Sequence, residues 1–279
     1  GELDRHLALL RQHRARGGGH DGEPRGETAV DEQRDAERHR SPLLAALVLF
    51  LAACLVVRFD DPAVPPAVPV VFLVALALPS YIALVRWLGP ALALALLLLL
   101  LSILPLAVEA YAVATGVPYG RFTYSADLGY RVFGLVPWTV AFAYLPMLLG
   151  AVTLAAAAAG TAWWRLVPAG VLVLLFVDLV VDPAAVHAGL WVWTGGGAYY
   201  GVPVSNFVGW ALTGAVYIAL FRLIAGARSI PGTVAASLLL ILAFWTGYLT
   251  RNGLVIPALL GAALALATLP IIVEDDTSR

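Results

Sequence analysis

Three carboxylic acids stand in stretches of chain that are otherwise apolar. Glu109 lies in Pro-Leu-Ala-Val-Glu-Ala-Tyr at 105–111, and Asp178 and Asp182 lie in Phe-Val-Asp-Leu-Val-Val-Asp-Pro at 176–183. The spacing of four puts both aspartates on one face of a helix, and Pro183 is expected to end that helix. Burial disfavours the charged form of a carboxyl, and two neighbouring carboxylates resist joint ionisation. A protonated acid beside an ionised one is a general acid paired with a general base. In a pocket reached from lipid, such a pair can protonate an alkene and activate water. Other readings stay open at this point. Asp182, just before Pro183, also fits a residue that caps or ends its segment, and Glu109 also fits an ion pair with Arg121 or Arg131. Asp178 lies deepest and leaves least room for a purely structural role.

The elements that must hold these acids follow from composition. The chain has 279 residues, 61% of them hydrophobic and 13% charged, with a mean hydropathy of +0.87. A soluble domain is about 45–50% apolar and about 25% charged, so a soluble globular enzyme is excluded. A net charge of -1 without a basic patch excludes a nucleic-acid partner. One cysteine excludes a disulfide within the chain. Eight apolar runs follow residue 41, at 42–57, 65–85, 90–112, 135–159, 164–182, 204–222, 231–249 and 253–272. About 20 apolar residues cross a hydrocarbon core. The expected fold is therefore all-α, a polytopic membrane bundle of about eight spans, or seven if the short first run does not cross. Continuous rather than alternating runs exclude a strand barrel. Residues 1–40 read as a disordered polar tail, 41–273 as the membrane domain, and 274–279 as a short polar tail. Arg34, Arg38, Arg40, Arg86, Arg165, Arg222 and Arg228 outnumber the arginines of the opposite face, which places the N-terminus in the cytoplasm of a cell membrane.

Two connections are long, 113–134 and 183–203, and with eight spans both lie at one membrane face. All three acids converge on that face, and so does Asn206 at the start of the sixth run. Tyr119, Phe122, Tyr124, Trp191, Trp193, Tyr199, Tyr200 and Trp210 crowd it. Such rings form an interfacial belt, or they line a pocket where their faces stabilise a cation. His187 reads as a lone loop histidine. No histidine or cysteine spacing fits a metal, so no metal is expected.

The motifs together resemble those of a known family. They are Glu109 with the Gly-Val-Pro-Tyr-Gly motif at 116–120 and Tyr124, then Asp178 with Asp182-Pro183, Trp191 and Trp193. Tyr-Gly-Val-Pro at 200–203 follows, with Asn206, Gly209 and Trp210. The set resembles the membrane carotenoid hydratases, which include hydratases of bisanhydrobacterioruberin and of acyclic carotenoids. The likeness runs from about the third apolar run to the sixth, and Tyr144 departs from it, since Trp is expected there. The resemblance implies addition of water to a terminal isoprenoid double bond without a cofactor. It implies Asp178, Asp182 and Glu109 as the acid/base set, Asn206, Tyr119, Tyr124 and Arg121 as positioning groups, and Trp191, Trp193 and Tyr200 as pocket walls. The implied partners are an acyclic polyene taken from the bilayer, membrane lipids and other enzymes of carotenoid biosynthesis. The rival reading is a proton-coupled transporter of a small solute, which uses buried acids as a relay.

Overall fold

Apolar chain in lipid must satisfy its own backbone, and helices do so within one segment. The computed structural model describes residues 41–59 and 67–277. Their helices are α1 (Ser41–Leu55), α2 (Ala67–Leu88), α3 (Ala91–Thr115), α4 (Val140–Ala159), α5 (Trp163–His187), α6 (Val204–Ala225), α7 (Ala236–Arg251) and α8 (Val255–Thr277). A short 3-10 turn, Gly232–Ala235, leads into α7. Among the described residues seven spans are long and apolar enough to cross a membrane, one in each helix but α1, with α7 counted together with the turn before it (Gly232–Arg251). The chain is thus an all-α, multi-pass membrane bundle. The polar tail expected at 1–40 lies outside the described residues. α8 runs on to Thr277, into the stretch expected to be a polar tail.

Burial divides the bundle into a core and a ring. The apolar stretches of α4 and of the turn with α7 are 72% and 78% buried, against 22% or 28% for α2, α3, α6 and α8. Leu78, Leu212 and Leu259 on the outer helices are exposed, as lipid-facing residues should be. Inside the ring, polar groups pair. The Ser80 N–H donates to Ser237 Oγ and the Ser237 N–H to Ser80 Oγ, both at 3.0 Å. The same hydroxyls donate to Val234 O at 2.6 Å and Ala77 O at 3.1 Å. This closed set ties α2 to the start of α7, where water cannot compensate a lost bond.

The long connections are ordered. β1 (Phe122–Tyr124) pairs antiparallel with β4 (Trp191–Trp193), in the register Phe122↔Trp193, Thr123↔Val192 and Tyr124↔Trp191. Both strands alternate, so Phe122, Tyr124, Trp191 and Trp193 share one face. β2 (Arg131–Val132) and β3 (Val136–Pro137) form a second small ribbon. The fourth span therefore begins at Val140 rather than at 135, because its first residues pair as strand.

Pro183 does not end its helix. α5 continues to His187, so the expected stop is corrected. A proline removes the bond to the carbonyl four residues earlier, here Leu179 O. The Tyr199 hydroxyl donates to that carbonyl at 3.0 Å, which lets the helix pass. His187 is accordingly the last residue of α5 and not a loop residue, and its Nδ1 hydrogen bonds the Tyr248 hydroxyl at 2.9 Å.

Gly247 marks where α7 meets α1. A Cβ there would collide with the backbone oxygen of Phe50 and press on Ala53. Gly247→Ala should therefore push α1 away and cost about 1–3 kcal/mol. The expected outcome is a lower melting midpoint in detergent, and an unchanged midpoint would show that α1 moves freely.

Candidate active site

The end of α5 carries Asp178 and Asp182 on one face, and the start of α6 brings Asn206 against them. The two hydrogens of the Asn206 amide serve both acids. Nδ2 donates to Asp178 Oδ2 at 3.0 Å and to Asp182 Oδ2. The amide thus holds the two carboxyls side by side. The indole of Trp191 donates to Asp182. Asp178 is fully buried, and Asp182 and Asn206 are 3% and 2% exposed. These bonds account for Asp182 without any capping role.

Glu109 reaches the site from the last turns of α3. Its Oε2 accepts from the Tyr124 hydroxyl at 2.9 Å. Burial first, and then the neighbouring Glu109, raise the Tyr124 phenol well above its ordinary pKa, so it stays a donor. The expected alternative of an ion pair with Arg121 or Arg131 is not what this geometry forms. Arg131 Nη2 instead donates to the backbone oxygen of Tyr124, clamping β1. Arg121 is exposed.

The turn at 116–120 closes the site from above. Gly120 has φ +90°, and a Cβ there would sit 2.9 Å from Ser205 Oγ and 3.3 Å from Trp193 Cδ1, so only glycine fits. Trp193 Nε1 donates to Tyr119 O at 3.0 Å. The Tyr119 hydroxyl donates to Thr213 Oγ1 at 3.0 Å, and its phenol is also raised, by burial and then by Glu109. Gly209 lets α6 pack on the Tyr119 ring.

These side chains enclose a cavity of about 60 Å³. Of the expected site residues, Glu109, Tyr119, Tyr124, Asp182, Trp191, Trp193 and Asn206 line it, with Phe122, Tyr144 and Trp210. Asp178 stands behind Asp182 rather than on the wall. Tyr200 does not line it. It sits in a tight turn with φ +50°, is 38% exposed, and packs edge-on against Tyr199. Tyr144, Ala143, Met147 and Val140 of α4 are wall residues that sequence reasoning did not assign to the site. A tyrosine inside the fourth apolar run, at the depth of the acids, was the available signal for the first. No group of three or more His, Cys, Asp or Glu able to hold a metal occurs among the described residues.

A second cavity, of about 80 Å³, adjoins the first. It is almost wholly apolar, walled by Phe59, Phe72, Leu76, Phe244 and Trp245. Val140, Ala143, Met147 and Trp191 line both cavities.

Residues 65–268 match the family described as carotenoid biosynthesis protein, and the chain belongs to that family. The bisanhydrobacterioruberin hydratase of Haloarcula japonica is 38% identical over 125 residues, which are 43% of this chain and 42% of that protein. The aligned stretch thus spans less than half the length of that relative. No solved structure matches the chain.

Tyr199 carries a further expectation. Tyr199→Phe strands the Leu179 carbonyl beside the acids, at a cost of about 1–3 kcal/mol. Thermal unfolding in detergent should report it, and an unchanged midpoint would mean that the carbonyl finds another donor.

Proposed function

We propose that the chain is an integral-membrane carotenoid hydratase. It adds water across a terminal C=C of an acyclic carotenoid, through a tertiary cation, and yields a tertiary alcohol. The observation that carries this reading is the buried Asp178–Asp182 pair bridged by Asn206, with Asp182 on the wall of a cavity that adjoins an apolar one. The apolar cavity suits the body of a polyene, and the acidic cavity suits its reacting end. Family membership and the name of the Haloarcula japonica relative support the same reaction class.

In this mechanism a carboxyl of the acid set protonates the terminal alkene. Asp182 and Glu109 face the reacting end, and Asp178 stands behind Asp182. The positive charge that develops on the neighbouring carbon meets the faces of Phe122, Trp191, Trp193 and Trp210. Water forms the new C–O bond, and the proton it sheds returns to a carboxylate. Tyr119, Tyr124 and Asn206 fix the acids. Arg121 and Tyr200, both exposed, act at the rim. The polyene enters sideways from the bilayer of the cell membrane, with the N-terminus on the cytoplasmic side as the arginine bias supports. Other enzymes of carotenoid biosynthesis are the partners this reading implies.

The test is expression in a host that makes lycopene or a related acyclic carotenoid, with the pigments analysed by mass. A gain of one water per modified end is expected, and unchanged pigment from well-expressed protein would overturn the reading. Asp178→Asn should reach the membrane at normal yield and lose hydration by roughly a hundredfold or more. Full activity in that variant would remove Asp178 from the acid set. Ala143→Phe, at the junction of the two cavities, should cut turnover while leaving the carboxyl network intact, and normal turnover would mean that the polyene takes another route.

A further inference from the structure

Some buried polar atoms near the acids take no part in the bonds described so far. Tyr144 and Tyr217 are 4% and 1% exposed, and neither phenol oxygen has a hydrogen-bond partner among the described residues. Oδ1 of the fully buried Asp178 has none either. The Tyr144 and Tyr217 rings meet edge to face with centroids 5.5 Å apart. Tyr144 also forms part of the acidic cavity's wall. The other unpartnered atom, Thr246 Oγ1, stands apart, against Gly261 of α8.

Buried hydroxyls without partners are rare, and each calls for an explanation. Tyr144 lies on the wall of the acidic cavity, a polar space of a size that admits a water. A water there can take up the phenol's hydrogen bond. Neither phenol is needed for the acid set, whose bonds are made by Asn206, Trp191 and Tyr124.

We propose that Tyr144 holds, in the acidic cavity, the water molecule that the reaction consumes, and presents it to the cation. The inference rests on the hydration reading above. A carboxyl gives its proton to one alkene carbon, and the π electrons form the new C–H bond, leaving a tertiary cation. A lone pair of the held water then forms the C–O bond, and the oxonium proton passes to a carboxylate. Tyr144 is a positioning residue, because it acts on the water and not on the polyene. A cation that finds no water has another outlet. It returns a proton from the carbon just protonated and reverts to alkene.

That outlet supplies the test. Purified protein in detergent is given lycopene in deuterated water, and mass spectrometry follows both the alcohol and the deuterium in recovered, unhydrated polyene. Wild type and Tyr144→Phe are compared, each checked for normal membrane yield. In the variant the alcohol should fall by about tenfold or more, the scale of one lost hydrogen bond in a dry site. Deuterium should still enter the recovered polyene at the wild-type rate or faster, because the cation forms and then reverts. Wild-type alcohol yield in the variant, or parallel loss of alcohol and deuterium, would overturn the proposal. Absence of both alcohol and deuterium with the wild-type protein would instead overturn the hydration reading itself.

Discussion

The Asn206 amide lies between two buried carboxyls and gives one hydrogen to each. In a lipid-soluble body an unpaired acid is expensive, and removing one partner leaves the other stranded. The bridge therefore fixes how α5 and α6 face each other. The rest of that contact is built to allow it. Gly170 leaves room for Ile218, and Gly214 for Leu174, each at about the 2.8 Å where a Cβ would otherwise press. Small residues of this kind let membrane helices approach closely, and here close approach is what brings an amide on one helix within reach of two acids on the next.

The second constraint is the proline beside the acids. Helix continuity past Pro183 needs a donor for Leu179 O, and Tyr199 provides it from a loop. That loop is held in turn by the pairing of Tyr199 with Val202, one step before α6 begins. The β1–β4 ribbon completes the arrangement, because strand alternation turns Tyr124 toward Glu109 and Trp191 toward Asp182 together. The site is thus assembled from helix ends and paired loops, and each part is satisfied by a group from another.

The apolar runs were legible because hydrophobic length alone decides whether a segment crosses, and the three acids stood out against them. What escaped the sequence has specific physical causes. The passage of α5 through Pro183 depended on a hydroxyl sixteen residues away in the chain, which no local rule weighs. Residues at 135–139 read as apolar helix because Val136 and Pro137 are apolar, while their actual role is to pair with Arg131 and Val132. Arg121 and Tyr200 are next to site residues in the chain yet sit exposed, since neighbours in a strand or a turn point in different directions. Tyr217 looked like an ordinary member of an apolar helix, and only its unpartnered oxygen sets it apart.

In the proposed hydration, the two cavities divide the chemical problem between them. An apolar polyene and a water molecule have no common solvent, so a site that joins them must keep each in its own surroundings until they meet. The apolar cavity exposes ring and aliphatic surface. The acidic one gathers carboxyls, an amide and phenols within a wall of aromatic rings. They share Val140, Ala143, Met147 and Trp191, of which only Trp191 carries a strong hydrogen-bonding atom, turned to Asp182. That junction offers water little beyond the weak thioether acceptor of Met147. In the proposed hydration, such a junction would favour the alkene end over stray water and so shield the cation.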